Sequence, residues 1–419
     1  MSNLPRMARI RQAFPRPVLA DIEQTIKDEL KKLLAAKVIA GQKIGITAGS
    51  RGIQNIVPML KVVVDYVREL GAEPVMLAAM GSHGGGTEQG QSEVLDSLGM
   101  TEQALGAQVL VCAESDVIGA TSEGIPAYIL KSALSVDGIL VINRIKTHTS
   151  FKGKVESGLI KKLVVGLGGP AGAKQFHNFG SEELPRLLVE IGEIILQKLP
   201  ILGGLSIIEN AYEETARIDA IEREQMVDKE AELLLYSKSL MPSLPIPEID
   251  FLIIKEMGKN FSGTGIDTNI IGRIRIEGVP EPDSPNIKRI AVLDISEESH
   301  GNATGIGLAD LVTQRVVDQM DRHATYLNCL TSTFVIRAAI PMYFDNDEKL
   351  VEAALLSLGG IPTDKLRVMI IPNTLFLTDI LVSETVLDQL KDKPGIEIES
   401  EARALEYDQA GNLIFPWIH

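Results

Sequence analysis

The sequence predicts an α/β protein of two α/β domains with largely parallel sheets and an active-site cleft between them. Three observations carry this reading. The chain has 419 residues, and single hydrophobic cores rarely extend past roughly 250–300 residues. Short apolar runs alternate along it with longer runs of helical period, the pattern of βαβ units. Between two such stretches, Pro242, Pro245 and Pro247 break the pattern within six positions, which marks a boundary. The domains expected are 1–245, which carries the glycine-rich loops, and 246–419.

In order, KIGITAG from Lys43 reads as a strand, NIVPMLKVVVDYVREL as a helix and PVMLAAM as the next strand. EQGQSEVLDSLGM is then helical, and AQVLVCA and DGILVINR read as buried strands of a parallel sheet. Gly71 and Gly99 stand where helices commonly stop. A helix over EELPRLLVEIGEIILQKLP and a strand at LSIIEN complete the first domain. In the second, DFLIIKEM, RIAVLDI and LRVMIIP are strands, whereas LADLVTQRVVDQM and EKLVEAALLSL are helices. The tail, 405–419, is read as a short hairpin packed back on either domain, the N-terminal one preferred.

Composition narrows the function classes. Hydrophobic residues make up 45% and charged residues 23%, so a real core is expected. The formal net charge of -15 repels phosphate backbones and anionic lipid surfaces, which disfavours nucleic acid and membrane as partners. Cys112 and Cys329 lie far apart with no second thiol near either, which excludes a cysteine-built metal cluster. The first residues lack the apolar run of a signal peptide, and no stretch of about 18 apolar residues occurs, so the expected location is cytoplasmic. The oligomeric state is open, a homo-oligomer included.

Ligands of open α/β sheets bind where strands end, and three such loops stand out. In ITAGSRGIQN, small residues surround Arg51, whose planar guanidinium suits a carboxylate; a surface ion pair is the plainer use. In MGSHGGGTEQGQ, His83 precedes three glycines, and Thr87 is placed to cap a helix; a flexible turn and an anion cradle fit equally. The third loop runs from Arg144 to His177. Between Arg144 and Lys162, six basic residues (Arg144, Lys146, Lys152, Lys154, Lys161, Lys162) accompany a single acid, Glu156. A solvated basic face is the ordinary explanation, but the glycines around it favour a bound phosphate or carboxylate. Of only six histidines, His83, His148 and His177 fall in these loops and His300 in the turn SHGNATGIG. Histidine serves as a general base near neutral pH or as a donor to nickel, zinc or copper. No closely spaced His pair of the HExxH kind is present.

This order of residues resembles the nickel-pincer nucleotide enzymes, the lactate racemase family. An arginine loop after the first strand, a glycine-histidine turn after the second, His148, then Ser157-Gly158-Leu159-Ile160-Lys161 and a histidine sixteen residues after the lysine follow the family pattern. Ser299-His300-Gly301 echoes a further glycine-histidine-glycine turn. The resemblance implies a racemase or epimerase of a 2-hydroxy acid, an isomerase working through nickel held in a pincer nucleotide. Lys161 would tether that cofactor with Ser157, Gly158 and Gly166 around it, and His177 would ligate nickel. His83 and His148 would be the paired acid/base residues, and Arg51, Lys259 and His300 would bind substrate. A proton would leave the substrate hydroxyl while a hydride leaves the carbon, giving a transient keto acid that is reduced from the other face. The enzymes that make the cofactor are implied partners. The family's Asp-His-Thr-Arg-Pro loop is Ala48-Gly49-Ser50-Arg51-Gly52 here, and Val165 replaces a proline. The second domain aligns loosely, at Lys259-Asn260-Phe261-Ser262-Gly263, so the hydroxy acid is not taken to be lactate. Two other classes fit the residues: a non-catalytic binder of a phosphorylated or carboxylated metabolite, and a metal-dependent hydrolase or lyase using His83 and His148 as ligands.

Overall fold

The structure, a computed structural model, describes residues 4–50 and 52–415. The chain divides into two compact units, one of residues 16–241 and one formed by the segment up to Pro15 together with the chain from Pro242 on. The break falls at Met241/Pro242, a few residues before the expected boundary. The first fifteen residues join the second unit rather than the first, because strand β1 (Met7–Gln12) pairs there.

In the unit of residues 16–241, α1 (Ile22–Leu34) begins at Asp21, whose side chain accepts the Gln24 amide and satisfies one of the amides a helix start leaves open. Strand β2 (Lys43–Ala48), helix α2 (Ile56–Glu69), strand β3 (Glu73–Ala78), helices α3 (Glu88–Ser97) and α4 (Glu102–Leu105), and strand β4 (Gln108–Leu110) follow. Gly71 and Gly99 end their helices with φ of 80° and 73°, a region that favours glycine. A hairpin not expected from the sequence, β5 (Ser115–Ala120) and β6 (Pro126–Leu130), precedes β7 (Gly138–Arg144). Then come α5 (Leu159–Lys161), α6 (Gly169–His177), α7 (Leu184–Lys198), β8 (Ile201–Glu209), β9 (Thr215–Ile221) and α8 (Met226–Ser239). The main sheet has the order β4-β3-β2-β7-β8-β9, parallel except for β9. Its central strands are buried nearly end to end because helices cover both faces, so they read as continuous apolar runs.

The strand order reverses between β2 and β7, which are hydrogen-bonded neighbours (Ile44 opposite Gly138, Ile46 opposite Leu140). The loops leaving their carboxyl ends therefore flank a topological switch point, where open α/β sheets bind ligands. One loop holds Gly49 and Ser50; the other leads to His148.

The second unit is an eight-stranded sheet, β13-β12-β11-β10-β14-β15-β1-β16, built of β10 (Glu248–Met257), β11 (Asn286–Ile295), β12 (Leu311–Thr313), β13 (Met342–Phe344), β14 (Val368–Ile371), β15 (Asp379–Ser383) and β16 (Ile396–Ile398) around β1. Strands β10 to β14 run parallel, whereas β15, β1 and β16 pair antiparallel. Its order reverses between β10 and β14, and Lys259 lies just past the end of β10. The stretch LADLVTQRVVDQM is not one helix: Leu311–Thr313 is a strand, and the helix covers Gln314–Gln319 with Thr313 as its cap. The tail packs on this unit's own core through Leu405, Tyr407 and Leu413, with Tyr407 bridged antiparallel to Leu413. Its apolar side chains complete the face on which Leu350, Val351 and Ala354 lie. No helix among the described residues is long and apolar enough to cross a membrane.

Candidate active site

Three loops of the unit of residues 16–241 bring together most of the residues singled out above. Arg51 lies outside the described residues. Its neighbour Ser50 hydrogen-bonds the His83 Nδ1, joining the loop after β2 to the turn after β3. His83 is exposed and leads into Gly84, Gly85 and Gly86, all at positive φ. Thr87 caps α3 through the Gly90 amide. The amides of Gly81, His83 and Gly86 donate to the carbonyls of Gly166, Met80 and His83. Those three amides are thus spent inside the fold rather than held open for an anion.

His148 sits in the loop after β7. Its ring stacks on Phe151 (4.1 Å between centroids, 23° between planes), and its Nδ1 accepts the Ser150 amide at 3.1 Å. An Nδ1 that accepts an N–H leaves the proton of a neutral ring on Nε2. Its backbone amide donates at 2.6 Å to Glu156, which is fully buried and also takes Lys238 at 2.8 Å and Lys152 at 3.5 Å. Glu156 is thus the clamp of this loop.

The basic island is smaller than its sequence suggests. Arg144 pairs with Glu209, Lys154 with Asp228 at 2.6 Å and Lys152 with Glu156. Acids thus neutralise half of it, two of them, Glu209 and Asp228, distant in sequence. The segment also carries the adjacent pair Lys161 and Lys162.

Lys161 ends the short helix α5. Ser157 anchors the start of this segment by pairing its backbone with Lys146 in both directions. Gly158 adopts an extended φ of -168° and gives its carbonyl to the Asn143 side chain at 2.8 Å. A Cβ at Gly158 would overlap the carboxyl of Glu230, a fully buried residue of α8. Glu230 accepts the Ile160 amide at 2.8 Å. Burial lifts its pKa to about 7, opposed by the amides of Ile160 and Leu159. Immediately after Lys161 the chain makes a π-helical turn, Lys162–Gly166, closed by the Leu167 amide on the Lys162 carbonyl at 2.8 Å. Such turns are rare and concentrate at functional sites. Gly166 packs against the end of β3, where a Cβ would come 2.8 Å from the Ala79 carbonyl.

His177 ends α6, half-buried. Burial, and then the charge of Lys161, lower its pKa to about 4, so the imidazole is neutral and can donate a lone pair at neutral pH. Phe151 and Phe176 make an edge-to-face pair at 6.3 Å, and Phe176 meets His177 at 5.6 Å. An aromatic chain thus links His148 to His177.

In the second unit, the Lys259 amine donates to the Gly263 carbonyl at 3.0 Å and to Asn328 at 2.7 Å. Its backbone amide donates to Ser299 at 2.8 Å, which ties the loop after β10 to the turn carrying His300. His300 is exposed at a φ of 46°, rare for a residue with a side chain. Lys259 and His300 therefore belong to one loop cluster of their unit. Sequence reasoning missed Ser50, Glu230, the π turn and the inward course of Lys162. Of these, only Glu230 leaves a signal in the sequence, as an acid on the face of α8 that also carries Met226, Leu233 and Leu234.

Residues 51–222, from the loop after β2 to just past β9, match a family model described as "Domain of unknown function (DUF362)". No curated protein matches. Among solved structures, the chain is similar to the lactate racemase apoprotein from Thermoanaerobacterium thermosaccharolyticum, at 12% identity and a TM-score of 0.52 over 85% of this chain and 92% of that one. It is similar also to a protein from Thermotoga maritima, at 14% identity and a TM-score of 0.52 over 87% and 99%. The likeness at these identities is one of architecture: the chain has a lactate racemase-like α/β fold.

Proposed function

We propose that this protein is a racemase or epimerase of a 2-hydroxy acid that carries a nickel-pincer nucleotide on Lys161. The observation that supports the reading is that Lys161 lies near enough to His177 for its charge to help keep the imidazole neutral, on a segment that follows a strand of the sheet switch point. The donor set fits the group: an amine on a constrained turn for the covalent link, and one neutral imidazole for a metal whose other donors come from the nucleotide. Ser157, Gly158 and Gly166 shape the turn that carries the tether. When bound, the cofactor supplies the acceptor for the hydride of the substrate α-carbon.

The residues of the chain do the rest. Ser50 orients His83, which takes the hydroxyl proton of one enantiomer as the α-hydrogen departs. His148 would act as the matching acid from its imidazolium form, returning a proton to the hydroxyl oxygen of the other enantiomer, and the two rings would then exchange protons with solvent to reset. Arg51 is the substrate-binding residue that this unit would add to them. The enzymes that make the cofactor are the partners this reading requires.

The experiment is co-production with the pincer-synthesis enzymes, followed by mass spectrometry of the Lys161 peptide and a screen of chiral 2-hydroxy acids for loss of optical purity. A mass increment on Lys161, nickel lost in His177→Ala and racemisation of at least one acid are expected. An unmodified Lys161 in nickel-replete co-production contradicts the proposal.

A further inference from the structure

We infer that Lys162 binds the carboxylate of the 2-hydroxy acid, seating it beside the Ser50–His83 pair. A lysine on a helix surface ordinarily keeps its ammonium in water. Lys162 instead runs inward from the π turn. Its Nζ reaches the Ala79 carbonyl at 3.4 Å, at the end of β3, and lies over Gly49, at the end of β2.

The bed under this side chain is made of backbone. A Cβ at Gly49 would overlap Nζ, and a Cβ at Gly166 would stand 3.0 Å from Cδ. Small residues at both positions leave the space that the lysine occupies. Among the described residues no carboxylate pairs with it, unlike Arg144, Lys152 and Lys154 on the same segment. A partly buried ammonium with one long bond to a neutral carbonyl is well placed to take an anion. The amine loses proton affinity through burial, to a pKa of about 8, so most of it is still charged at neutral pH.

The place of the inferred anion follows from chain continuity. Gly49 immediately precedes Ser50, whose hydroxyl meets the His83 ring. In a 2-hydroxy acid the carboxylate and the hydroxyl stand on adjacent carbons. An anion on Lys162 therefore turns the hydroxyl toward the residue that would take its proton. The identity of the anion rests on the proposed function.

The test uses glycolate, the simplest 2-hydroxy carboxylate, with ethylene glycol as its neutral counterpart and inorganic phosphate as a second anion, all at matched ionic strength. Acetylation by acetic anhydride is followed at Lys162 and Lys161 by peptide mass spectrometry on the unmodified protein. Glycolate is expected to slow acetylation of Lys162 but not of Lys161, with ethylene glycol without effect. Lys162→Met should weaken glycolate binding about ten-fold or more, the loss of one charge-assisted hydrogen bond, and Lys162→Arg should weaken it less. An acetylation rate indifferent to glycolate overturns the inference, as does undiminished glycolate binding by a folded Lys162→Met. Protection by phosphate alone overturns the carboxylate assignment. Protection by glycolate in a protein whose Lys161 is never modified upholds the role of Lys162 and removes the proposed function.

Discussion

The carboxyl group of Glu230 accepts the amide of Ile160 at 2.8 Å, so a side chain sealed inside the unit fixes the turn that presents Lys161. Its folded pKa of about 7 lies above the ordinary 4.5. The folded protein therefore holds a proton that the unfolded chain has released, and stability falls as pH rises from about 4.5 through 7. The full penalty is on the order of 3 kcal/mol above that window. Glu230→Gln removes it while keeping one acceptor oxygen. Urea unfolding at about pH 5 and pH 8 should show a gap between variant and wild type that widens with pH; parallel curves would refute this.

His177 responds to Lys161. Burial is the larger cause of its depressed pKa and the lysine charge the second. Lys161→Met should therefore raise the imidazole pKa from about 4 without restoring the ordinary 6.5. Titration by NMR of the His177 ring protons measures it. An unmoved midpoint would show that the two groups are too far apart to share a ligand.

Gly158→Ala carries no backbone strain, because a φ of -168° is open to any residue. Its cost is steric, since the new methyl meets the Glu230 carboxyl. A loss of about 1–3 kcal/mol is expected in chemical unfolding. Combined with Glu230→Ala, which empties that space, the two losses should fall short of additive. Strict additivity would place the methyl elsewhere.

Ser50→Ala leaves the His83 ring without its partner hydroxyl. On the proposed function, racemisation should drop about ten-fold or more, by analogy with residues that orient a base. Modification of Lys161 should be unchanged. A variant that also loses the modification would assign Ser50 to cofactor loading instead.

Much of the architecture was legible because a parallel sheet covered on both faces writes itself as apolar runs between helical periods. KIGITAG, DGILVINR and DFLIIKEM all became central strands. Leu311–Thr313 was not legible, since three strand residues joined to a capped helix share its apolar content. The loops were legible as loops, from their glycines and histidines. What happens inside them was not. The charge balance of the Arg144–Lys162 segment depends on Glu209 and Asp228, which no local window contains. The inward turn of Lys162 depends on a π turn and on the absence of side chains at Gly49 and Gly166, which spacing does not record.

Strand β1 lies between β15 and β16, whose residues come more than 360 positions later in the chain. During synthesis the unit of residues 16–241 can close as soon as its last helix has emerged, whereas β1 waits without its partners until nearly the whole chain is made. The unit of residues 16–241 is thus expected to fold first and the sheet that contains β1 last, and a chain halted near residue 300 would carry an unpaired strand, MARIRQ, as its point of vulnerability to aggregation.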